Sequence, residues 1–498
     1  MKTYDDSRID TLIWQAIAES DCPEDFRRYL RHKPEGAARL EEAMERLIAL
    51  DDADAEGTPR YPEAVAAIRA LAGQGGATAQ FHMGKLHGLG WCDDGQQAME
   101  KWYRLAILQN EARSMINLAN AFEQGTNVEK NADAAVALYR AAAELGEPMA
   151  HTRLASLHLA GETIEKDAAQ AYEHLLQAWE AGHATAGYWL SVLHARGDAV
   201  ARDQELAADW LRQAAERGCD EAAMRLGRKA EFGGDGAARD IAAAEAWYRL
   251  GSERGDLECQ TSLGMLLLRG EGIPKNGAEA VRWLKRAAVL EYPPAQRALG
   301  MAYHWGVDVV RNKAFARKWL SRAALQNEPR GLFLLGWACQ TGVGIEADID
   351  KAIAWFRKAA DKGSAEAQHR LGRCHLSGTG VEKDFAEAAL WVSRAAEQGL
   401  PEAEHTIGEM FLFGDGVETD AGEASKWFLA AAEKGLADAQ YALGVLYDEG
   451  RGLARNPEEA GKWIRKAAEG GHEDARRWLA AHGADQAPPP SPAAQPVP

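Results

Sequence analysis

Two histidines, His369 and His405, stand 36 residues apart at matching places in neighbouring stretches of the chain, a spacing that invites a metal-site reading. A zinc ion needs its ligands about 2.0 to 2.1 Å away. Stacked helices lie about 10 Å apart, so one ion shared by these two side chains is not expected. The six cysteines, Cys22, Cys92, Cys219, Cys259, Cys339 and Cys374, form no CxxC and share no recurring spacing; they read as small buried hydrophobes in a reduced compartment. The stretch SGTGVEKD (Ser377 to Asp384) is rich in glycine but has no strand pattern before it and no Lys-Ser/Thr after it, so it is not a phosphate cradle. Neither HExxH nor GxSxG occurs, and the carboxylates are spread over solvated helix faces or sit at helix starts. Catalysis, a metal and a cofactor therefore have no support in the sequence.

Binding has more. The chain has 498 residues and a formal charge of -18, which argues against a nucleic-acid partner because attraction to a phosphate backbone is built from clustered Lys and Arg. Against that acidic background one stretch collects bulky and cationic side chains: Arg297, His304, Trp305, Arg330, Phe333, Trp337, Gln340, His369, Arg373, His405 and Phe413. Aromatics and arginine concentrate binding energy at interfaces, by burying large areas or by forming paired bonds to carboxylates. The expected partner is a protein or peptide carrying acidic and apolar groups. The competing reading is that Trp305, Phe333 and Trp337 merely pack between neighbouring A helices.

What must position these residues is a repeat. Aligned on the LG of RLGRCHLSG, the chain gives Met83, Leu118, Leu154, Leu190, Leu226, Leu263, Leu299, Leu335, Leu371, Ile407, Leu443 and Leu479, at intervals of 35 to 37. Such self-similarity marks stacked units that bury their apolar faces against each other. Seven residues after each of the first eleven markers stands a glycine, from Gly90 to Gly450, which suggests a left-handed residue closing a first helix, A. Asn or Asp follows in ten units (Asn131, Asp167, Asp203, Asp240, Asn276, Asn312, Asp348, Asp384, Asp420, Asn456), as expected of the N-cap of a second helix, B; Glu279, Glu387, Glu423 and Glu459 would complete capping boxes. A Trp recurs seven residues later in nine units, from Trp102 to Trp463, and is expected to fill the core between layers. At 100° per residue the core side of helix A holds marker offsets -4, 0, +1 and +4, as in Ala367, Leu371, Gly372 and His375. Offsets -5, -2, +2 and +5 then face solvent.

Segments such as AEAQHRLGRCHLSGTGVEKDFAEAALWVSRAAEQGL (Ala365 to Leu400) resemble Sel1-like repeats, relatives of the tetratricopeptide repeat. The resemblance covers roughly residues 77 to 482. It departs from the pattern at Ala119, Ala155 and Ser191, which replace the glycine of the LG pair, and at Leu138 and His174, which replace the Trp. It implies an all-α, right-handed α-solenoid of about eleven helical hairpins, with helix A lining the concave side. It also implies a bacterial protein-protein interaction scaffold. Some relatives are credited with binding or slowly cleaving penicillin-like compounds, so a weak hydrolase of cell-wall amides is one rival; those relatives are stapled by regular Cys pairs, which this chain lacks. A secreted factor engaging a host protein is the second rival.

The ends differ from the array. Residues 1–76 break the register yet read as helices, with Phe26, Tyr29 and Leu30 at helical spacing and Pro23 after a start signal, and are expected to cap the first hairpin. Residues 483–498, rich in Pro and Ala, read as extended and disordered. The first residues, MKTYDDSRIDTLIW, lack a signal-peptide pattern and no window reaches membrane-span length, so a cytoplasmic protein without a membrane partner is expected.

Overall fold

The computed structural model describes residues 6–32, 39–52, 55, 57, 61–92, 97–233, 238–306, 309–326, 329–342 and 347–482. The disordered tail expected at 483–498 lies outside them. The described residues hold 27 helices and no strand, and none of the helices is long and apolar enough to cross a membrane. The chain forms an all-α solenoid of tandem hairpins that divides into two compact units. The first ends at Leu299; the second comprises Gly300–Gly306 and the chain from Val310 on, while residues 307–309 go with the first.

Repeats two to eleven start helix B by the same local chemistry, which the first repeat lacks: there Leu89 follows helix A, and Gln97, before helix B, makes no side-chain cap bond. In repeat nine, helix A (Ala365–Ser377) ends at Gly378, whose φ of 73° lets its amide bond back to the Cys374 carbonyl. Helix B (Phe385–Glu397) begins at Asp384, whose carboxylate accepts the amides of Ala386 and Glu387. All ten expected Asn and Asp residues are N-caps of this kind.

The capping boxes form only in half. Each cap residue's own amide is already taken by a carbonyl of helix A, as in Asp384 to His375 and Asp420 to Phe411. The glutamates therefore turn elsewhere. Glu279 and Glu387 accept the indole N–H of Trp283 and Trp391, while Glu423 and Glu459 pair with Lys426 and Lys462.

The recurring Trp does not fill the core everywhere. Trp283, Trp319 and Trp391 are buried, whereas Trp102, Trp210, Trp247, Trp355, Trp427 and Trp463 are half-buried. The deepest position is the next residue, where Tyr248, Leu284, Phe356, Val392, Phe428 and Ile464 are all at most 1% exposed. This explains the marker glycine: a Cβ on Gly372 would lie 2.5 Å from Val392, and one on Gly336 2.8 Å from Phe356. The outer indole faces are covered instead by cations three residues later, as with Arg322 on Trp319 and Arg394 on Trp391, each 4.9 Å from the ring centroid.

Successive hairpins are tied by a feature of helix A not anticipated above. Buried glutamines at offset -3, including Gln260, Gln296, Gln368 and Gln440, donate to carbonyls near the end of the preceding helix B (Ser252, Ala288, Ala360 and Ala432). These are carbonyls the helix itself cannot satisfy. The turn between units also has a fixed conformation. Its left-handed residue is Gly182, Gly218, Gly255, Gly363, Gly399 or Gly435 in those repeats and Asn110 at the first, but Glu291, with φ of 64°, after repeat six. A glutamate there carries about 1 to 3 kcal/mol of strain that glycine would avoid.

Four helices precede the array: α1 (Asp6–Ile17), α2 (Pro23–His32), α3 (Leu40–Asp52) and α4 (Tyr61–Gly73). Helix α2 starts at Pro23, and Phe26, Tyr29 and Leu30 are buried. Helix α4 packs on the first repeat, and α3 on helix B of repeat six (Gly277–Val289).

Candidate protein-binding site

In the second unit, four successive A helices set the candidate surface: Pro329–Thr341, Ala365–Ser377, Pro401–Phe413 and Ala437–Glu449. Their core offsets bury as the helical period requires, with Ala367 and Leu371 inaccessible and Gly372 and His375 buried. The opposite stripe opens onto a cavity of about 660 Å³. Gln340, His369, Arg370, Arg373, Leu376 and Ser377 line one side of it, and Glu402, His405, Thr406, Glu409 and Asp438 the other.

The geometry inside is asymmetric in charge. The Thr406 hydroxyl donates to the Glu402 carbonyl at 2.8 Å, so the His369 ring, 3.0 Å from that hydroxyl oxygen, presents Nε2–H to it. Burial, reinforced by the charges of Arg373, Arg370 and His405, drives His369 down to about 4, and it is neutral at pH 7. His405 Nδ1 lies 3.7 Å from Glu409, and its ring rests on Phe428 with centroids 5.4 Å apart. Burial and the neighbouring Arg373 also lower the Arg370 pKa, yet guanidinium stays protonated at any physiological pH. Among the described residues neither Arg370 nor Arg373 is paired with a carboxylate. Cys374 lies beneath them, 3% exposed, its thiol pushed up by burial and so a poor nucleophile.

The expected residues separate into three groups. Gln340, His369, Arg373 and His405 come together around this cavity. Trp305 and Phe413 are exposed, 54% and 67%, at the offset where Ser377 lines it, and Arg330 is exposed and paired with Glu366 at 3.3 Å. The third group turns inward. His304 is 5% exposed, against the expectation of a surface residue, because its ring packs edge-on against half-buried Trp337 with centroids 4.8 Å apart. Phe333 is half-buried against Phe356, 5.7 Å away. Packing between neighbouring A helices thus accounts for Trp337, against His304, but not for Trp305, and Phe333 packs instead on helix B of its own hairpin, Ile349–Asp361. Arg297 is half-buried and belongs to the first unit, whereas the other expected residues belong to the second.

The Sel1 repeat model matches eleven consecutive segments, beginning with 77–111 and 112–147 and ending with 437–472. The chain is a member of the Sel1 repeat family. A protective antigen of uropathogenic Escherichia coli displaying an SLR fold is 26% identical, with a TM-score of 0.50, over 84% of this chain and 90% of its own. A Sel1 repeat protein from Oxalobacter formigenes is 30% identical, with a TM-score of 0.48, over 62% of this chain and 90% of its own. No curated protein matches this chain. Sel1 repeat proteins are in general interaction scaffolds.

Within this Sel1 array, sequence reasoning missed Arg370, Glu402, Thr406, Glu409 and Asp438. Glu402 and Asp438 hold the solvent offset -5 and Glu409 the offset +2, but none is aromatic or cationic, the two features that picked out the stripe. Arg370 and Thr406 hold offset -1, beside the core stripe, where half-burial still leaves a long or polar side chain room to reach the cavity. Among the described residues no group of three His, Cys, Asp or Glu side chains could hold a metal ion.

Proposed function

We propose that this Sel1 repeat protein is an adaptor whose A-helix stripe in repeats seven to ten docks a partner protein or peptide with acidic and apolar groups. The observation that carries the reading is the pair Arg370 and Arg373, crowded together at a cavity with no carboxylate partner among the described residues. Two like charges held side by side are an electrostatic cost that an incoming carboxylate turns into paired, charge-assisted bonds. Neutral His369 adds a polar group without adding repulsion, and exposed Trp305 and Phe413 supply apolar anchors. Helix A lines the concave side in this reading, and the buried thiols of Cys22, Cys219, Cys259, Cys339 and Cys374, none of them in a disulfide, fit a reducing compartment such as the cytoplasm.

The reading is tested with an array of acidic and apolar 12-residue peptides, probed by the wild type and by Arg370→Ala/Arg373→Ala. Peptides captured by the wild type should bind the variant at least tenfold more weakly, with unchanged helical circular dichroism. Equal binding by both proteins, or capture of no acidic peptide, overturns it. The hydrolase alternative finds no activated nucleophile at the cavity, given the state of Cys374. The second reading, a secreted factor that meets a host protein, draws on the likeness to a protective antigen, and fractionation of the producing cell separates it from the first.

A further inference from the structure

We infer that the amino-terminal helices are an intramolecular clasp that closes onto repeat six, with Glu291 as its strained register pin. Three contacts from three places in the cap converge within six residues of repeat six. Arg27 donates Nε–H to the Val289 carbonyl at 2.9 Å, Arg31 pairs with Glu291, and Arg286 grips both oxygens of Glu41 at 2.6 Å. These partners are 245 to 262 residues apart in the chain, and all lie in the first unit. The side chains of repeat six are specialised for the contact. Arg286 and Arg282 both cover the repeat's own Trp283, 5.6 and 5.3 Å from its centroid; Arg286 holds the place that Arg322 and Arg394 hold in repeats seven and nine and reaches the cap as well.

Glu291 makes the stronger case. Its counterparts in the other described repeats are glycine or asparagine, the residues that tolerate a left-handed backbone. Glutamate does not, and the ion pair it forms is exposed, at 39% and 47%, where such pairs return little. Strain outweighs that return, so Glu291 is not explained by stability. It is explained by specificity: the side chain fixes where α2 lands, while Arg27, tied to the buried Asp51, supplies the holding contact. Because Arg31, Glu291 and the Glu41 carboxylate are exposed, two of the three contacts are open to screening by salt, although Arg286 itself is half-buried. The cap thereby joins the beginning of the array to its sixth repeat and holds repeats one to six as one body.

The test is amide hydrogen exchange of the full chain, following α3 and helix B of repeat six. Glu41→Arg should speed exchange of α3 at least tenfold, and the charge-swapped Glu41→Arg/Arg286→Glu should restore it. Glu291→Gly should raise the melting temperature by relieving strain and yet speed exchange in α2. Raising salt from 0.05 to 1 M should speed α3 in the wild type more than it speeds helices of repeats eight to ten. Unchanged α3 exchange in Glu41→Arg, or failure of the swap to restore it while circular dichroism shows an intact fold, overturns the clasp. Slower α2 exchange in Glu291→Gly overturns the role of that residue.

Discussion

Arginine is used in opposite ways at the two ends of this molecule. In the amino-terminal cap and first repeats every cation described above meets an acceptor: Arg27 meets Asp51 and the Val289 carbonyl, and Arg113 meets Asp6 at 2.8 Å and Glu111 at 2.7 Å. Burial opposes the Arg113 charge, but the hydrogen bonds it donates to Glu111 and Asp6 outweigh it and raise its pKa. Around the repeat-nine cavity burial opposes Arg370 too, and Arg373 adds to the opposition, so its pKa falls. Burial is similar; the neighbours differ. A guanidinium whose surroundings favour its charge is held by the fold, and one whose surroundings oppose it is not; the proposed docking uses the second kind.

The largest expected effect follows from removing a satisfied cation. Arg27→Ala takes one partner from Asp51, 1% exposed, and removes the bond to the Val289 carbonyl, and should cost about 2 to 3 kcal/mol in urea unfolding followed on the first unit. Arg370→Ala should stay within about 0.5 kcal/mol of wild type in urea unfolding followed on the second unit, to which it belongs, since it removes a charge that nothing in the described chain compensates. Comparable losses in both variants would erase the distinction.

How much of this was legible beforehand depended on whether a feature repeats. Helix ends, caps and the buried face of helix A all follow from local rules applied in repeat after repeat, so Gly378, Asp384 and Leu371 could be read from spacing alone. His304 could not be placed, because whether offset +5 faces solvent depends on the size of its neighbour one repeat on, and Trp337 is large enough to cover it. The half-formed capping boxes were missed for a similar reason: the amide of Asp384 is used by helix A of its own hairpin, a contact across the turn that a four-residue motif does not contain. At the candidate site the solvent stripe picked out Gln340, His369, Arg373 and His405, while Arg370 escaped because its offset lies at the edge of the core stripe. The clasp has no repeating signal at all, since its partners are more than 240 residues apart.

The next effect concerns the cap's buried histidines. Tyr61 Oη lies 2.8 Å from His32 Nδ1, His32 Nε2 lies 2.9 Å from His82 Nδ1, and His82 Nε2 lies 2.5 Å from Asp6. With both rings neutral the protons run one way, from Tyr61 to His32 to His82 to Asp6, and every nitrogen is used. Burial lowers both pKa values; His82 and Lys85 lower His32 further, while Asp6, itself held at about 2, pulls His82 the other way against Lys85 and Arg113. The folded cap therefore refuses protons that the unfolded chain accepts below its ordinary value of 6.5. Stability of the cap should be flat above pH 7 and fall below 6.5, by up to about 1.4 kcal/mol per pH unit for each histidine. Asp6 keeps its charge through that window and does not cancel the loss. Hydrogen exchange in α1 and α2 between pH 7.5 and 5, corrected for intrinsic rates, is the measurement. His82→Asn should flatten the response, and a wild-type cap indifferent to pH would show that the relay does not titrate as its burial requires.

The smallest effect bears most directly on the contrast between engaged and free arginines. Arg330 sits one repeat before the unpaired set and differs from it in having Glu366 as a partner, with side chains 61% and 33% exposed. An exposed pair contributes about 0 to 1 kcal/mol, so Glu366→Gln should move the unfolding midpoint little. It should nonetheless convert Arg330 from the first kind of arginine to the second. If carbonyl and carboxylate neighbours decide which guanidiniums are available, acidic peptides retained by the wild type should bind Glu366→Gln several-fold more tightly at 0.05 M salt, with the gain shrinking at 0.5 M. Weaker binding would instead assign Glu366 itself to the docking surface, and the partner would then need a cation opposite it.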